Sequence, residues 1–229
     1  MTVVGLVKNS FVDYPETIAC VIFLPYCNYN CYYCHNRSLI DGMDDMIDEE
    51  ELDKFLEKRR GDIEGVVITG GEPTLQPDLI EFIEYIRSFG YKVKLDTNGS
   101  NPDVIEQLLK LKLCDFYAVD YKAPKAQYSE ICGDGATADD VIETIWLLIN
   151  SGVEFEVRTT VAPELDESDL ITMSKELPVV PRYSLNKYRK PEYYLDEDED
   201  RVNKTPYTQL QMKAFAEKMK LCQPNIKFE

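Results

Sequence analysis

Residues 65–99 read GVVITGGEPTLQPDLIEFIEYIRSFGYKVKLDTNG. The run GVVITG (65–70) is apolar without alternation, which is the pattern of a strand covered on both faces. QPDLIEFIEYIRSFG (76–90) follows with apolar residues at helical spacing and closes on Gly90, a residue suited to a helix C-terminus. YKVKLDTNG (91–99) is again strand-like and ends in turn residues. A strand, a helix and a second strand in this order form a crossover unit with parallel strands.

The same alternation extends in both directions. IACVIFL (18–24), DFYAVDYK (115–122), EFEVRTTVAP (154–163) and, more weakly, RYSLNKY (182–188) read as strands. DEEELDKFLEKRR (48–60), NPDVIEQLLKLK (101–112), TADDVIETIWLLINSG (137–152) and DESDLITMSKEL (166–177) read as helices, and one more covers roughly 206–220. Such a chain is α/β, either a doubly wound sheet or a barrel. About six units fit a partial (βα)6 barrel of parallel strands with outer helices better than an eight-unit one. No repeat or linker divides the chain. The expectation is one domain over 1–229, with a core of about 17–190 and a C-terminal helical extension over 191–229. The acidic run DEDED (196–200) is expected to be a solvated loop.

In either architecture ligands bind beyond the carboxyl ends of the strands. The unusual residues collect there: a cysteine loop after the first strand, GGEP (70–73), DTNG (96–99), DYKAP (120–124), and Arg158 within the fifth strand. Arg158 in an apolar strand must find an anionic partner if it is buried, either a ligand carboxylate or an Asp or Glu of the chain.

Composition narrows the function. Of 229 residues, 44% are hydrophobic and 29% charged, as in ordinary globular proteins. No run of 18 apolar residues exists, and MTVVGLVKNSF lacks the pattern of a secretory signal, so no membrane partner and a cytoplasmic location are expected. The net charge of −17 argues against a nucleic-acid partner, whose phosphates are neutralised by Lys and Arg. Seven cysteines, an odd number, make a poor disulfide framework in a reducing compartment.

Three of the seven lie in CNYNCYYCH (27–35), at Cys27, Cys31 and Cys34, followed at once by the only histidine, His35. Thiolates bind zinc and iron–sulfur clusters. A closed zinc site needs a fourth ligand. His35 directly follows Cys34, and adjacent side chains rarely turn to one ion; Cys20 sits in an apolar strand, where an inert buried thiol is the ordinary state. Cys114, Cys132 and Cys222 are scattered and suggest burial only. A cubane cluster on three thiolates leaves one iron open to a substrate, so the missing ligand becomes a functional feature. Both metals stay open on residues alone.

CNYNCYYC followed by GGEP after the next strand resembles the radical S-adenosylmethionine enzymes, whose loop is CxxxCxxC with an aromatic residue before the third cysteine, here Tyr33. VDYP (12–15), CHN (34–36), LDTNG (95–99), DYKAP and RTTV (158–161) extend the likeness to the activating enzymes of glycyl-radical proteins. It is most similar to the short form that activates anaerobic ribonucleoside-triphosphate reductase.

The resemblance implies a [4Fe-4S] cluster on Cys27, Cys31 and Cys34, with S-adenosylmethionine on the fourth iron. Its one-electron cleavage would give a 5′-deoxyadenosyl radical that takes a Cα hydrogen from a partner's glycine. It further implies cofactor contacts from Tyr33, His35, Gly70, Gly71, Glu72, Asp96, Asn98, Asp120, Lys122 and Arg158, and a monovalent cation near Asp96 and Thr97. Arg189 falls near another contact position of relatives. The implied partners are a glycyl-radical enzyme and a low-potential electron donor such as flavodoxin or ferredoxin. Alternatives are an activase of another glycyl-radical enzyme (pyruvate formate-lyase-like), a small-molecule-modifying member, and a structural zinc or Fe–S protein. Two positions depart from the family: Glu16 and Tyr26 stand where relatives usually have glycine.

Overall fold

A computed structural model of the chain describes residues 1–40 and 46–228. In chain order the elements are β1 (Gly5–Ser10), β2 (Ala19–Leu24), α1 (Arg37–Ile40), α2 (Glu49–Lys58), β3 (Gly65–Gly70), α3 (Leu79–Ser88), β4 (Lys92–Thr97) and α4 (Pro102–Leu111). There follow β5 (Phe116–Asp120), α5 (Tyr128–Cys132), α6 (Ala138–Ser151), β6 (Glu154–Val161), α7 (Glu167–Glu176), β7 (Tyr183–Lys187), α8 (Glu199–Val202), α9 (Gln209–Met219) and β8 (Ile226–Phe228).

Two compact units result, one of Met1–Asn28, Ser38–Thr97 and Asp103–Ala118, the other of Tyr29–Arg37, Asn98–Pro102 and Val119–Glu229. In unit 1, β2 pairs with β3 and β3 with β4, all parallel. Val66, Val67 and Ile68 are buried in succession, so both faces of β3 are covered, as its unbroken apolar run requires. Tyr14, Ala19, Val21, Val67 and Phe116 form one core cluster there, with Phe23 against it. In unit 2, β6, β7 and β8 pair in parallel. Here β6 alternates, burying Phe155, Val157, Thr159 and Val161 on one face while Glu156, Arg158 and Thr160 stay half-buried on the other. β5 begins in unit 1 and ends in unit 2, and within each unit neighbouring strands follow chain order. This is the α/β order expected of successive crossover units.

Helix starts follow from capping chemistry. Asp48 accepts from Glu50 N and Glu51 N ahead of α2, and Asp166 and Thr208 make reciprocal capping boxes before α7 and α9. α6 stops at Gly152, whose φ of 73° suits a residue without Cβ.

Three features differ from the sequence reading. β1 pairs antiparallel with β2, so the sheet is mostly rather than wholly parallel. β8 is a three-residue strand beyond α9. The DEDED run is no loop: Asp196–Asp198 form a 3-10 turn that leads into α8, and Asp198 is buried.

Candidate active site

In unit 1, β3 ends in a turn that only glycine permits. Gly70 has φ 124°, and a Cβ there would lie 2.2 Å from the Leu24 carbonyl oxygen. A Cβ on Gly71 would lie 1.9 Å from the Tyr26 oxygen. Gly71 N donates to Leu24 O at 2.9 Å and Glu72 N to Tyr26 O at 2.7 Å, so the chain entering the cysteine loop is seated on the bare Gly-Gly backbone. Cys27, half-buried, follows this contact.

Glu72 is wholly buried. Its Oε1 accepts from Thr74 N at 3.0 Å, Thr74 Oγ1 at 2.6 Å and Thr97 Oγ1 at 2.8 Å. Three donors on one oxygen compensate the loss of water around the carboxylate. Asp96 receives Lys94 Nζ at 2.5 Å from the same strand.

In unit 2, the rest of the cysteine loop lies against α5. Asn30 N donates to Cys132 O at 2.6 Å, Tyr29 Oη to Thr137 O at 3.4 Å, and Cys34 N closes a turn onto Cys31 O at 3.1 Å. The Cys132 thiol donates to the Cys31 sulfur, and this bond, with Lys122 nearby, holds the Cys31 thiol below its ordinary range although burial opposes it. Burial pushes Cys34 up. Tyr33 is buried with no hydrogen-bond partner for its hydroxyl among the described residues.

Beside these groups, Asp120 takes Lys122 Nζ on Oδ2 at 3.0 Å and Arg158 Nε on Oδ1 at 3.0 Å. Burial alone would raise this carboxyl; the two cations outweigh it and hold it at about 2. Burial likewise works against the Lys122 charge, but Asp120 and the neighbouring thiols outweigh it and raise its pKa. The partner that Arg158 needs is thus a carboxylate of the chain. Asn98 is buried and caps its own turn, accepting from Ser100 N at 2.9 Å. His35 is exposed, and the covered part of its ring together with the Arg189 guanidinium lowers its pKa.

The structure therefore gathers Cys31, Tyr33, Cys34, Asp120, Lys122 and Arg158 in unit 2, and Gly70, Gly71, Glu72 and Asp96 with Cys27 in unit 1. Among the described residues no three His, Cys, Asp or Glu side chains stand as a metal-holding group. Sequence reasoning missed Cys132, and also Arg201, whose guanidinium lies 3.9 Å over the Tyr32 ring while its Nη2 reaches Glu164 Oε2 at 2.7 Å. No local signal marks either residue, because each reaches the loop only through tertiary packing.

Residues 21–177 match the radical SAM superfamily. A protein of Methanocaldococcus jannaschii provisionally named as a glycyl-radical enzyme activating enzyme is 35% identical over 199 residues, covering 84% of this chain and 82% of that one. Among solved structures, Streptococcus suis SuiB bound to S-adenosylmethionine superposes with a TM-score of 0.65 at 17% identity, over 91% of this chain and 51% of that chain. A domain of pyruvate-formate lyase-activating enzyme from Bacteroides vulgatus gives 0.54 at 14% identity, over 72% of this chain and 99% of that chain. This chain thus spans about half of SuiB, and at these identities the two structures show a shared fold. The superfamily match and the archaeal relative agree: the chain is an enzyme of the radical SAM superfamily, akin to the glycyl-radical enzyme activating enzymes.

Proposed function

We propose that the chain acts as one radical SAM domain, with its core over 17–190 and an extension over 191–229, and installs a glycyl radical on a partner enzyme in the cytoplasm. The partner in this reading is an anaerobic ribonucleoside-triphosphate reductase, and a flavodoxin or ferredoxin delivers the electron. No helix among the described residues is long and apolar enough to cross a membrane, which accords with that location.

The residues fit the cofactors this requires. The donor set is three thiols in one short loop, the buried Tyr33 hydroxyl awaits a polar partner, and the Gly70–Gly71 turn has backbone where any side chain would collide. When bound, a [4Fe-4S] cluster and S-adenosylmethionine supply one-electron cleavage of a carbon–sulfur bond and hence hydrogen-atom abstraction. Cys27, Cys31 and Cys34 would hold the iron. Lys122 would meet the methionyl carboxylate, exchanging part of its pairing with Asp120 for it, and Arg158 would keep Asp120 ionised meanwhile. Glu72 would accept from the ammonium, with Thr74 and Thr97 orienting its carboxylate. Gly70 and Gly71 would admit the methionyl chain to the backbone. Tyr33, His35 and Asn98 would line the adenosine, and Asp96 would stand close by.

The observation that carries this reading is the three-thiol loop in a chain matched over most of its length by an activating-enzyme relative. Its test uses anaerobically reconstituted protein reduced with dithionite and given S-adenosylmethionine. The expected result is 5′-deoxyadenosine, an EPR signal that changes on cofactor addition, loss of both in Cys31→Ala, and a glycyl-radical signal on adding the reductase. Zinc without sulfide, and no 5′-deoxyadenosine, would overturn it. Cofactor cleavage with no radical on the reductase, but one on another glycyl-radical enzyme, would move the partner and leave the chemistry.

A further inference from the structure

Cys132 is the last residue of α5 and belongs to no cysteine pattern in the sequence. Its carbonyl nevertheless accepts from Asn30 N at 2.6 Å, which ties its peptide to the residue preceding Cys31. The next residue, Gly133, has φ 97°, and a Cβ there would lie 2.8 Å from the Asn30 Cβ, so the two backbones press together at this point. The two side chains are buried and in hydrogen-bond contact, Cys132 donating to Cys31.

We propose that Cys31 and Cys132 form a redox-modification site, at which a peroxide closes a disulfide whenever Cys31 carries no metal. The Cys31 thiolate attacks one peroxide oxygen, giving a sulfenic acid and releasing hydroxide, which takes up the proton that Cys31 had lost. The Cys132 sulfur then attacks the sulfenic sulfur, and its proton leaves with the hydroxyl as water. Two thiols and one hydrogen peroxide become one disulfide and two waters. Closure within the buried pair captures the sulfenic acid before further, irreversible oxidation.

The disulfide itself does not depend on Cys31 holding iron; its consequence for iron binding rests on the proposed function. The test treats the full-length chain, stripped of metal by a chelator, with one equivalent of hydrogen peroxide. Free thiols are then alkylated and the chain is digested without reductant, mass spectrometry assigning each sulfur. The expected product links Cys31 to Cys132, and dithiothreitol removes the link. In Cys132→Ser the sulfenic acid at Cys31 is instead trapped by dimedone. Reconstitution with iron and sulfide should fail on the oxidised native chain and recover fully after dithiothreitol; with excess peroxide, which carries an unprotected sulfenic acid on to sulfinic acid, Cys132→Ser does not recover. Absence of the link in the native chain, or linkage spread over all seven cysteines, overturns the proposal. A clean link with undiminished iron uptake supports the redox site and overturns the ligand role of Cys31.

Discussion

Lys94 places its ammonium 2.5 Å from Asp96 Oδ1, two residues further along β4, with 1% of its side chain exposed. Residues two apart on a strand face the same way, so this pair is dictated by sequence spacing once β4 forms. The contact gives Asp96 an internal cation at the position where a bound monovalent ion was expected. Lys94→Met would leave the carboxylate without this partner, at a cost of about 3 kcal/mol. The double change Lys94→Met with Asp96→Asn should recover most of that loss. Urea midpoints of the three proteins check this, and a double variant no better than Lys94→Met would sink it.

Asp120 links acidity to stability. Its carboxyl is held at about 2 against an ordinary 3.8, burial opposing and Lys122 and Arg158 together prevailing. A carboxyl with a lowered folded pKa adds stability that is complete above its unfolded value and is lost as pH falls through the folded one. The window therefore runs from about pH 4 down to about pH 2, and the component lost is about 2 kcal/mol. Asp120→Asn lacks this component and leaves Lys122 and Arg158 facing an amide. The stability gap between the native chain and Asp120→Asn should narrow across that window in urea titrations. A gap independent of pH would reject the assignment.

What the sequence disclosed and what it withheld have physical causes. GVVITG matches β3 at both ends because buried parallel strands announce themselves as unbroken apolar runs. The helix read over 76–90 starts later, at Leu79, because Gln76, which precedes Pro77, is held extended and Asp78 is the N-cap. β1 escaped because GLVKNS lies at the sheet edge with Val7, Lys8 and Asn9 exposed, leaving no hydrophobic period to read. Asp120, Lys122 and Arg158 stood out as charges at strand ends, yet their mutual pairing needed β5 and β6 side by side, shown by Tyr121 N donating to Arg158 O. Cys132 was unreadable because α5 meets the cysteine loop only in three dimensions.

Glu16 and Tyr26, where the resemblance leads one to expect glycine, carry positive φ values of 56° and 67°, a conformation that glycine adopts freely. Each side chain is held in the left-handed region at a cost of about 1 kcal/mol. Glu16→Gly should therefore raise the melting temperature by a few degrees despite the added chain entropy. Gly71→Ala should do the opposite, since its Cβ meets the Tyr26 carbonyl at 1.9 Å and the loop must move. Thermal melts of the two variants decide the matter. Equal shifts of the same sign would show that backbone strain is not what distinguishes these positions.

Arg201 gives the C-terminal segment a task at the cysteine loop. Its guanidinium stacks 3.9 Å over Tyr32, and Glu164 holds it there through Nε at 3.1 Å and Nη2 at 2.7 Å. Lys204 adds a second cation to Glu164 at 2.8 Å, so the carboxylate stays charged and the fork stays oriented. Tyr188 closes on the same loop edge-on to Tyr33 and donates to Val202 O at 2.9 Å, binding α8 to it. Arg201→Met keeps the stem but loses the stack and the fork. The loss should be roughly 1–2 kcal/mol, with faster amide exchange across residues 29–34. Arg201→Lys keeps the charge but not the planar fork, so it should behave more like Met than like Arg. Hydrogen exchange followed by mass spectrometry reads this without any cofactor. Unchanged protection of 29–34 in both variants would reduce the contact to ordinary surface packing.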